Sequence, residues 1–510
     1  MTTTHPQEIE LKLALPPEQA AAFLKRMARR RSVPVKHDLI TRYFDTPDFA
    51  LSALGVALRV RRVGRRWLQT LKTEGERQGG LSRRAEYEMP VAGDAPDWTR
   101  FPPEALAWVP EALRDALVPV FETRFHRTAW QLKGKGGAAI EVALDVGEVR
   151  AGERSQPICE IELELKAGQP DALFALALEW AAAFDYLPFD VSKAERGVQL
   201  AQGEADAPLK SAAMRLDGDM SVEDGFAAIV QACLAQFQSN LPGVFASNDI
   251  EHVHQARVAL RRLRAALRLY RKACVLPDAL MDGLRTLAAA LGPARDWDVL
   301  LAETLPAIAP HCPDPDAWQR GMQVLEAHRI DVRSAMQTAI RLGHPGAWLL
   351  AVQRWLLQRG WRAAPPAQRL IQLSPLEQWA RRALQKGHRR VARGARDFDQ
   401  LEPAQRHALR IAIKRQRYAA EFFQPLFGGY PEGHQRRQAR YLAALRDAQD
   451  SLGRSNDAHV AWGLLTSGPA VDAGPMGQFV LGWLAAKLAE AANDESAGAV
   501  RDILTLKRDW

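Results

Sequence analysis

The feature that most constrains this chain is a change of hydrophobic period near residue 200. Before it, apolar and charged residues alternate in several stretches, such as residues 8–13, 57–61 and 160–165. A period of two indicates β-strands with one apolar and one charged face. Beyond about residue 220, stretches rich in Ala, Leu and Arg repeat with a period near 3.6, which indicates helices. We therefore predict an α+β first part with a mostly antiparallel sheet, followed by an all-α second part.

The same change sets the predicted domain boundaries. We expect a first domain over residues 1–202, a linker over residues 203–219 and a second domain over residues 220–510. The linker opens with Gly-Glu-Ala-Asp-Ala-Pro, a composition typical of connecting segments. Residues 1–202 hold 28 basic and 28 acidic side chains, so the whole net charge of +8 lies beyond residue 202. A basic second domain favours a polyanionic partner.

Several features bear on the cellular compartment. The four cysteines are widely spaced and match no metal-ligand pattern. The first ten residues are polar and contain no signal-peptide core. No apolar run approaches the roughly 20 residues that are needed to span a bilayer. We therefore expect a cytoplasmic protein that does not enter the membrane.

Charged strand faces of opposite sign recur along the first 200 residues. Because successive side chains alternate, Glu8, Glu10 and Lys12 share one strand face, while Arg59 and Arg61 share another. A single charged face usually marks an exposed strand, but several of them turned into a barrel would need neutralising partners. Paired carboxylates suit Mg²⁺, and guanidinium or ammonium groups suit phosphate oxygens. The pattern predicts a metal-dependent site for a highly charged, linear phosphate substrate.

These strands resemble the CYTH family, which is also called the triphosphate tunnel metalloenzyme family. The stretch Glu8-Ile9-Glu10-Leu11-Lys12 matches its ExExK signature, and Arg42-Tyr43-Phe44-Asp45-Thr46 resembles its second conserved stretch. Further matches follow in the family's order: Arg59, Arg61, Lys72, Arg84, Arg127, Asp145, Glu160, Glu162 and Lys193. The resemblance covers about residues 5–200. It implies an eight-stranded antiparallel β-tunnel that hydrolyses inorganic triphosphate to pyrophosphate and phosphate.

The CYTH resemblance also implies a role for each matched residue. The ligands of one or two Mg²⁺ or Mn²⁺ ions would be Glu8, Glu10, Asp145, Glu160 and Glu162. The phosphate-binding residues would be Arg59, Arg61, Lys72, Arg84, Arg127 and Lys193. The candidate catalytic residues are Glu8, Glu10, Lys12 and Glu141. Glu141 shares a strand face with Asp145 and would be a further ligand or a water-orienting base. Phe125 stands where many relatives carry lysine, so the family's phosphate contact at this position is not expected here.

A basic pattern repeats in the second domain. Two segments share spacings of three, four and three residues: His254, Arg257, Arg261 and Arg264, and His407, Arg410, Lys414 and Arg417. Residues at these spacings line one helix face, where like charges repel unless an anionic chain lies across them. Few aromatic residues interleave with the stripes to stack bases, which favours a base-free polyanion over a nucleic acid.

These two segments resemble the two copies of the CHAD domain signature. The resemblance covers about residues 220–510 and implies a helical bundle with internal two-fold pseudosymmetry that binds inorganic polyphosphate. The candidate polyphosphate-binding residues are His254, Arg257, Arg261, Arg262, Arg264, Lys386, Arg389, His407, Arg410, Lys414 and Arg417. The expected partners are therefore inorganic triphosphate and polyphosphate, with recruitment to polyphosphate granules as one option and no specific nucleic acid.

Three functions stay open at this point. The first is an inorganic triphosphatase with a polyphosphate-docking domain. The second is a nucleoside or thiamine triphosphatase, or an adenylate cyclase, since the tunnel fold serves all of these activities. The third is a non-catalytic polyphosphate-binding scaffold. A cyclase must seat a nucleobase and we find no base-binding motif, while the complete set of paired carboxylates argues against an idle scaffold.

Overall fold

The computed structural model describes residues 7–204, 207–490 and 496–506. The chain divides into two compact units. The first comprises the chain up to Ala207 together with His344–Arg359, and the second comprises Pro208–Gly343 and the chain from Gly360 onward. Within the described ranges, no helix is both long and apolar enough to cross a bilayer.

The first unit is built on antiparallel strands. In the described part of this unit they are β1 (Gln7–Ala14), β2 (Val35–Asp45), β3 (Val56–Val63), β4 (Arg66–Thr73), β5 (Glu76–Gln78), β6 (Leu81–Val91), β7 (Val118–Lys133), β8 (Ala139–Ala151), β9 (Arg154–Ala167) and β10 (Leu187–Pro188). Eight of them close a barrel in the order β1-β9-β8-β7-β2-β3-β4-β6, because β6 pairs back onto β1. The prediction of an eight-stranded antiparallel barrel is confirmed.

The barrel turns its charged faces inward and its apolar faces outward. On β1, Glu10 and Lys12 point inside and are 4% and 5% exposed, while Leu11 and Leu13 point outward and are fully buried. The outward leucines are covered by short helices that contribute Phe23 and other apolar side chains. The helices of the first 207 residues are α1 (Ala20–Met27), α2 (Ala50–Ala53), α3 (Pro103–Leu106), α4 (Glu111–Arg114), α5 (Asp171–Leu178) and α6 (Lys193–Gln202). One apolar core of this unit thus lies between the outer face of the barrel and the short helices, and a second buried apolar cluster, which includes Tyr43, Phe121 and Phe125, lies where α6 packs against the inner face.

Helix α6 packs against the inner face of the barrel strands. Its start is fixed by a capping box, in which the Ser192 hydroxyl accepts from the Glu195 amide and the Glu195 carboxylate accepts from the Ser192 amide. The helix approaches β7 closely, since a Cβ added to Gly197 would come within 2.0 Å of the Phe121 ring. This arrangement places Lys193, the first residue of α6, at the barrel interior.

The chain beyond residue 220 is helical, as predicted. The described helices are α7 (Val222–Ala246), α8 (Ile250–Tyr270), α9 (Asp278–Val299), α10 (Leu305–Ile308), α11 (Pro315–Leu342), α12 (Pro345–Leu357), α13 (Pro366–Gln372), α14 (Leu376–Arg396), α15 (Pro403–Phe423), α16 (Glu432–Thr466), α17 (Pro469–Asp472), α18 (Gly474–Glu490) and α19 (Ser496–Thr505). Helix α8 contacts α7 and α9, and α15 contacts α14 and α16 in the same order. The two basic stripes therefore lie on the central helices of a repeated triplet, and α8 and α15 contact each other.

One helix from the second half of the sequence groups with the first unit. Helix α12 contacts α5 and β10, and its Leu350 is fully buried in the core outside the barrel. Arg354 donates two hydrogen bonds of 2.6 and 2.7 Å to Asp171 at the start of α5. The barrel unit therefore takes part of its core from a segment far along the chain.

Replacing Leu350 by Ala is expected to destabilise the first unit by about 2–5 kcal/mol, because it leaves a cavity in a fully packed core. The measurement is native-state hydrogen exchange of the β1 and β9 amides. Leu357→Ala on the same helix is the matched control, since Leu357 is 39% exposed, and its cost should stay below about 1 kcal/mol. Equal losses for the two variants would contradict the role given to α12.

Candidate active site and basic helix cluster

The barrel encloses a cavity of about 450 Å³, which we call the tunnel cavity. Inward-pointing residues of β1, β3, β4, β6, β7 and β9, together with the start of α6, contribute its charged lining. The predicted site residues on this wall are Glu8, Glu10, Lys12, Arg59, Arg61, Lys72, Arg84, Arg127, Glu162 and Lys193. Strand parity thus brings nine of the predicted residues into one space, and helix α6 adds Lys193; the space is large enough for a short phosphate chain.

The β1 carboxylates are held by cations from β4 and β6. Lys72 donates to both oxygens of Glu8, at 2.9 and 3.0 Å. Arg84 bridges the two glutamates, donating to Glu8 at 2.7 Å and to Glu10 at 2.9 Å. Burial alone would raise the pKa of Glu8, but the charges of Lys72 and Arg84 hold it well below its usual value. Both β1 glutamates are therefore positioned by potential phosphate-binding groups.

Asp145, Glu160 and Glu162 form a second acidic group, which we call the acidic trio. One carboxylate oxygen from each lies within 4.8 Å of the others, which is a spacing that suits a shared metal ion. Asp145 and Glu160 are 0% and 1% exposed, whereas Glu162 also lines the tunnel cavity. The five predicted metal ligands therefore occupy two places, with the trio on β8 and β9 and the pair on β1.

Lys193 and Arg127 each pair with more than one carboxylate of the acidic trio. Lys193 donates to Asp145 at 2.7 Å, to Glu162 at 2.8 Å and also to Glu160. Arg127 donates to both oxygens of Asp145, at 2.7 and 2.6 Å, and to Glu162. Burial would raise the pKa of Glu162, but Lys193 and Arg127 hold it well below its usual value. The cations thus occupy the carboxylate oxygens that a metal ion would need.

Three cations of the cavity surround the Phe125 ring. The Lys193 ammonium lies 4.9 Å from the centre of its ring, and the Arg61 and Arg127 guanidinium carbons each lie 5.7 Å away. Burial, with the nearby charges of Arg59 and Arg127, lowers the pKa of Arg61 to about 10. The phenyl ring holds these cations by cation–π attraction without cancelling their charge. Arg127 and Lys193 are also paired with the acidic trio, so a bound anion would compete with those carboxylates for them.

Glu141 lies outside the tunnel cavity. It lines a smaller cavity of about 290 Å³ and accepts a hydrogen bond of 2.6 Å from Gln131. Arg61 and Arg127 line both cavities, so they form the shared wall. Glu141 points into the barrel, as strand parity predicts, but its position along β8 places it in the smaller cavity and away from the other candidates.

Residues from the two basic stripes meet where α8 and α15 contact each other. Burial and the charges of Arg261, Arg410, Arg257 and Arg417 lower the pKa of Lys414 to about 7. We call these five residues the basic cluster. Such concentrated positive charge is unfavourable by itself and becomes favourable when an anion binds. The cluster is the strongest candidate polyanion site of the second unit.

Comparisons with known proteins follow the same division of the chain. A sequence model of the CYTH domain matches residues 6–198, and a sequence model of the CHAD domain matches residues 228–466. The chain carries a CYTH domain and a CHAD domain. The two matched regions contain the barrel of the first unit and the repeated helix triplet of the second.

Two individual relatives support this assignment. An inorganic triphosphatase from Haemophilus influenzae is 35% identical over 196 residues, which is 38% of this chain and 55% of the relative. The alignment thus spans about half of that protein's length. The crystal structure of a CHAD domain from the plant Ricinus communis is 33% identical, with a TM-score of 0.50, and covers 59% of this chain and 98% of that structure.

The structure places the other predicted CHAD residues away from the basic cluster or at its edge. Arg262 lies 5.3 Å from the Phe422 ring and 3.8 Å from Glu421, so it packs between the helices. His254 lies beside Arg261 and Arg295, and burial with these charges lowers its pKa. The exposed candidates of this domain are Arg264, Lys386, Arg389 and His407. Among the described residues, the charges that act most strongly on Lys414 come from the cluster alone.

Sequence reasoning missed two residues of the CYTH site. Arg196, one helical turn after Lys193, hydrogen-bonds Glu160 at 3.3 Å and also donates to the Pro157 carbonyl. Its spacing of three from Lys193 was a usable signal. Arg77 lines the tunnel cavity and pairs with Glu195, and it comes from the short strand β5, which carries no alternation to identify it.

Proposed function

We propose that the CYTH domain hydrolyses inorganic triphosphate to pyrophosphate and phosphate in the tunnel cavity. The observation that carries the proposal is that seven predicted phosphate-binding or catalytic cations line one cavity of about 450 Å³ together with Glu162, whose carboxylate lies within 4.8 Å of those of Asp145 and Glu160. A compact, linear trianion or tetra-anion suits such a lining better than a bulky substrate does. The similarity to a protein named inorganic triphosphatase supports the same reaction.

The proposed metal is Mg²⁺ or Mn²⁺, held first by Asp145, Glu160 and Glu162. The residues fit such an ion, because all three donors are carboxylate oxygens that lie within reach of one centre. Glu8 and Glu10 are proposed to complete the ligand set when bound phosphate takes over Lys72 and Arg84. A divalent ion here would neutralise phosphate charge and acidify a bound water.

The chain's own residues are proposed to bind and orient the substrate. Arg59, Arg61 and Lys72 bind phosphate oxygens on one side of the cavity, and Arg127 and Lys193 bind them beside the trio. Fixed positive charge that lies where negative charge develops lowers the barrier to phosphoryl transfer. Burial of these groups strengthens their attraction for phosphate by excluding water.

The experiment is a substrate panel with the full-length protein. Phosphate release is measured from triphosphate, pyrophosphate, ATP, thiamine triphosphate and long polyphosphate, each with Mg²⁺ and with Mn²⁺. The proposal expects triphosphate to have the highest kcat/KM. A higher value for ATP or thiamine triphosphate would move the activity to the second candidate class, and no release from any substrate would favour the scaffold.

The CHAD domain is proposed to bind inorganic polyphosphate through the basic cluster. The supporting observation is that Arg257, Arg261, Arg410, Lys414 and Arg417 come together from two repeats. Long-chain polyphosphate is expected to displace DNA of equal charge at moderate salt, because the cluster offers charge without base-stacking residues. Equal affinity for both polymers would reduce the surface to a general anion binder.

Polyphosphate affinity should fall as the pH rises above about 7. Free Lys414 loses its proton near that pH, while a bound polyanion raises the pKa again, so binding takes up a proton at pH 7–8. The measurement is calorimetry in two buffers that differ in ionisation enthalpy. Lys414→Arg keeps the charge and should abolish this proton uptake; an unchanged uptake in that variant would show that another group is responsible.

A further inference from the structure

Lys193 occupies the space that the proposed metal ion needs. Its ammonium lies 2.7 Å from an Asp145 oxygen and 2.8 Å from a Glu162 oxygen, and it also donates to Glu160. These are the three carboxylates that could hold a metal ion. A Mg²⁺ or Mn²⁺ ion would bond to such oxygens at about 2.1 Å. The ammonium and the ion therefore cannot share the centre of the trio.

Charge gives the same conclusion. The three carboxylates of the trio are already paired with three cations, Lys193, Arg127 and Arg196. A divalent ion added to this arrangement would leave the buried group with excess positive charge, which a low-dielectric interior disfavours. Removing one monovalent cation as the ion enters limits that cost. Lys193 is the group best able to leave, because its flexible stem ends at the cavity.

Lys193 also has a second place to go. Lys193 lines the tunnel cavity, where phosphate is proposed to bind, and its ammonium already lies 4.9 Å from the centre of the Phe125 ring while it contacts the trio. Arg196 stays behind on the same helix and holds Glu160 at 3.3 Å. Helix α6 can thus keep its contact with the trio while the lysine side chain turns into the cavity.

We propose that Lys193 is an internal competitor for the metal site, which the metal ion displaces into the tunnel cavity, where the lysine binds substrate phosphate. The proposal rests on the metal site of the proposed function. Metal and triphosphate binding are then coupled through one side chain, since the ion that fills the trio also frees a phosphate ligand.

The test is a titration with Mn²⁺ in the absence of substrate. Binding is measured by calorimetry and by the electron paramagnetic resonance signal of free Mn²⁺. Lys193→Met removes the competitor and should tighten Mn²⁺ binding by about tenfold or more, as expected when a coupling of this kind is removed. Arg61→Met is the matched control, because it removes one positive charge from the same cavity but its side chain hydrogen-bonds Thr41 at 3.0 Å. Its Mn²⁺ affinity should rise by about threefold or less, because Arg61 acts on Asp145 through its charge whereas Lys193 contacts all three carboxylates.

The outcomes separate this inference from the proposed function. Equal Mn²⁺ affinity in wild type and Lys193→Met overturns the competitor role and leaves the metal site standing. An equal gain of Mn²⁺ affinity in both variants also overturns the competitor role, because the loss of any positive charge from the cavity would then explain the gain. Absence of Mn²⁺ binding in wild type and both variants overturns the metal site itself, and the competitor role with it.

A measurement on the wild-type protein covers the case in which Lys193→Met does not fold. Amine labelling read by mass spectrometry should show Lys193 becoming several times more reactive when Mn²⁺ is added. Lys25 on α1 is exposed and serves as the reference, with no expected change. Unchanged or reduced labelling of Lys193 in saturating Mn²⁺ overturns the proposal.

Discussion

Replacing Glu162 by Gln is expected to lower kcat/KM for triphosphate by about a thousandfold. Glu162 is the member of the acidic trio that also lines the tunnel cavity, so it lies where metal and phosphate would meet. Glutamine keeps the shape but loses the charge. A loss of about 4 kcal/mol of transition-state stabilisation corresponds to that factor. Initial rates of phosphate release, with Mn²⁺ affinity measured alongside, provide the check.

Glu141→Gln is the matched control for this change. It is also an inward-facing glutamate of the barrel, but it lines the smaller cavity and accepts from Gln131. We expect its kcat/KM to fall by less than about tenfold. A loss as large as that of Glu162→Gln would place the water-orienting base in the smaller cavity and contradict our assignment of the chemistry. Both variants should bind polyphosphate with wild-type affinity.

Reversing Arg257 and Arg261 to Glu is expected to weaken polyphosphate binding by about a hundredfold at moderate salt. Both residues belong to the basic cluster, and the change also places two acids beside Lys414. The slope of log affinity against log salt concentration should become shallower by about two, because two phosphate contacts are lost and about two fewer counter-ions are released. Fluorescence anisotropy with labelled polyphosphate at several salt concentrations measures both quantities.

Lys386→Glu with Arg389→Glu is the control for this reversal. It changes the net charge by the same amount, but both side chains are exposed on α14. Affinity should fall by less than about fivefold, and triphosphate turnover should stay unchanged in both double variants. If the control weakens binding as much as the cluster variant, polyphosphate responds to total charge and the cluster is not a site.

The two pairs of variants also test whether the domains act independently. Glu162→Gln should affect turnover alone, and the Arg257 and Arg261 reversal should affect polyphosphate binding alone. A loss of triphosphate turnover in the CHAD variant would show that polyphosphate binding and catalysis are coupled. The helix α12, which lies within the matched CHAD region but packs into the first unit, would then be the first segment to examine.

Sequence by itself determined the class of each half and the direction of its side chains. Alternation on β1 correctly turned Glu8, Glu10 and Lys12 to one face, because strand geometry fixes that face locally. The helical spacing of the repeated stripes correctly placed Arg257 and Arg261 together for the same reason. The family resemblance added the eight-stranded closure, which no local pattern specifies.

Only the tertiary structure decided which of these charges meet. Strand alternation predicts which face a residue occupies but not how far along the barrel it lies. The sequence therefore did not show that the β1 glutamates lie apart from the acidic trio, or that Glu141 lies outside the tunnel cavity. Helical spacing could not show that Arg262 packs on Phe422, since that depends on the neighbouring helix. Lys193 lies among three carboxylates because α6 packs against the inner face of the barrel. Such contacts depend on strand register and helix packing between distant segments, which the sequence of one segment does not contain.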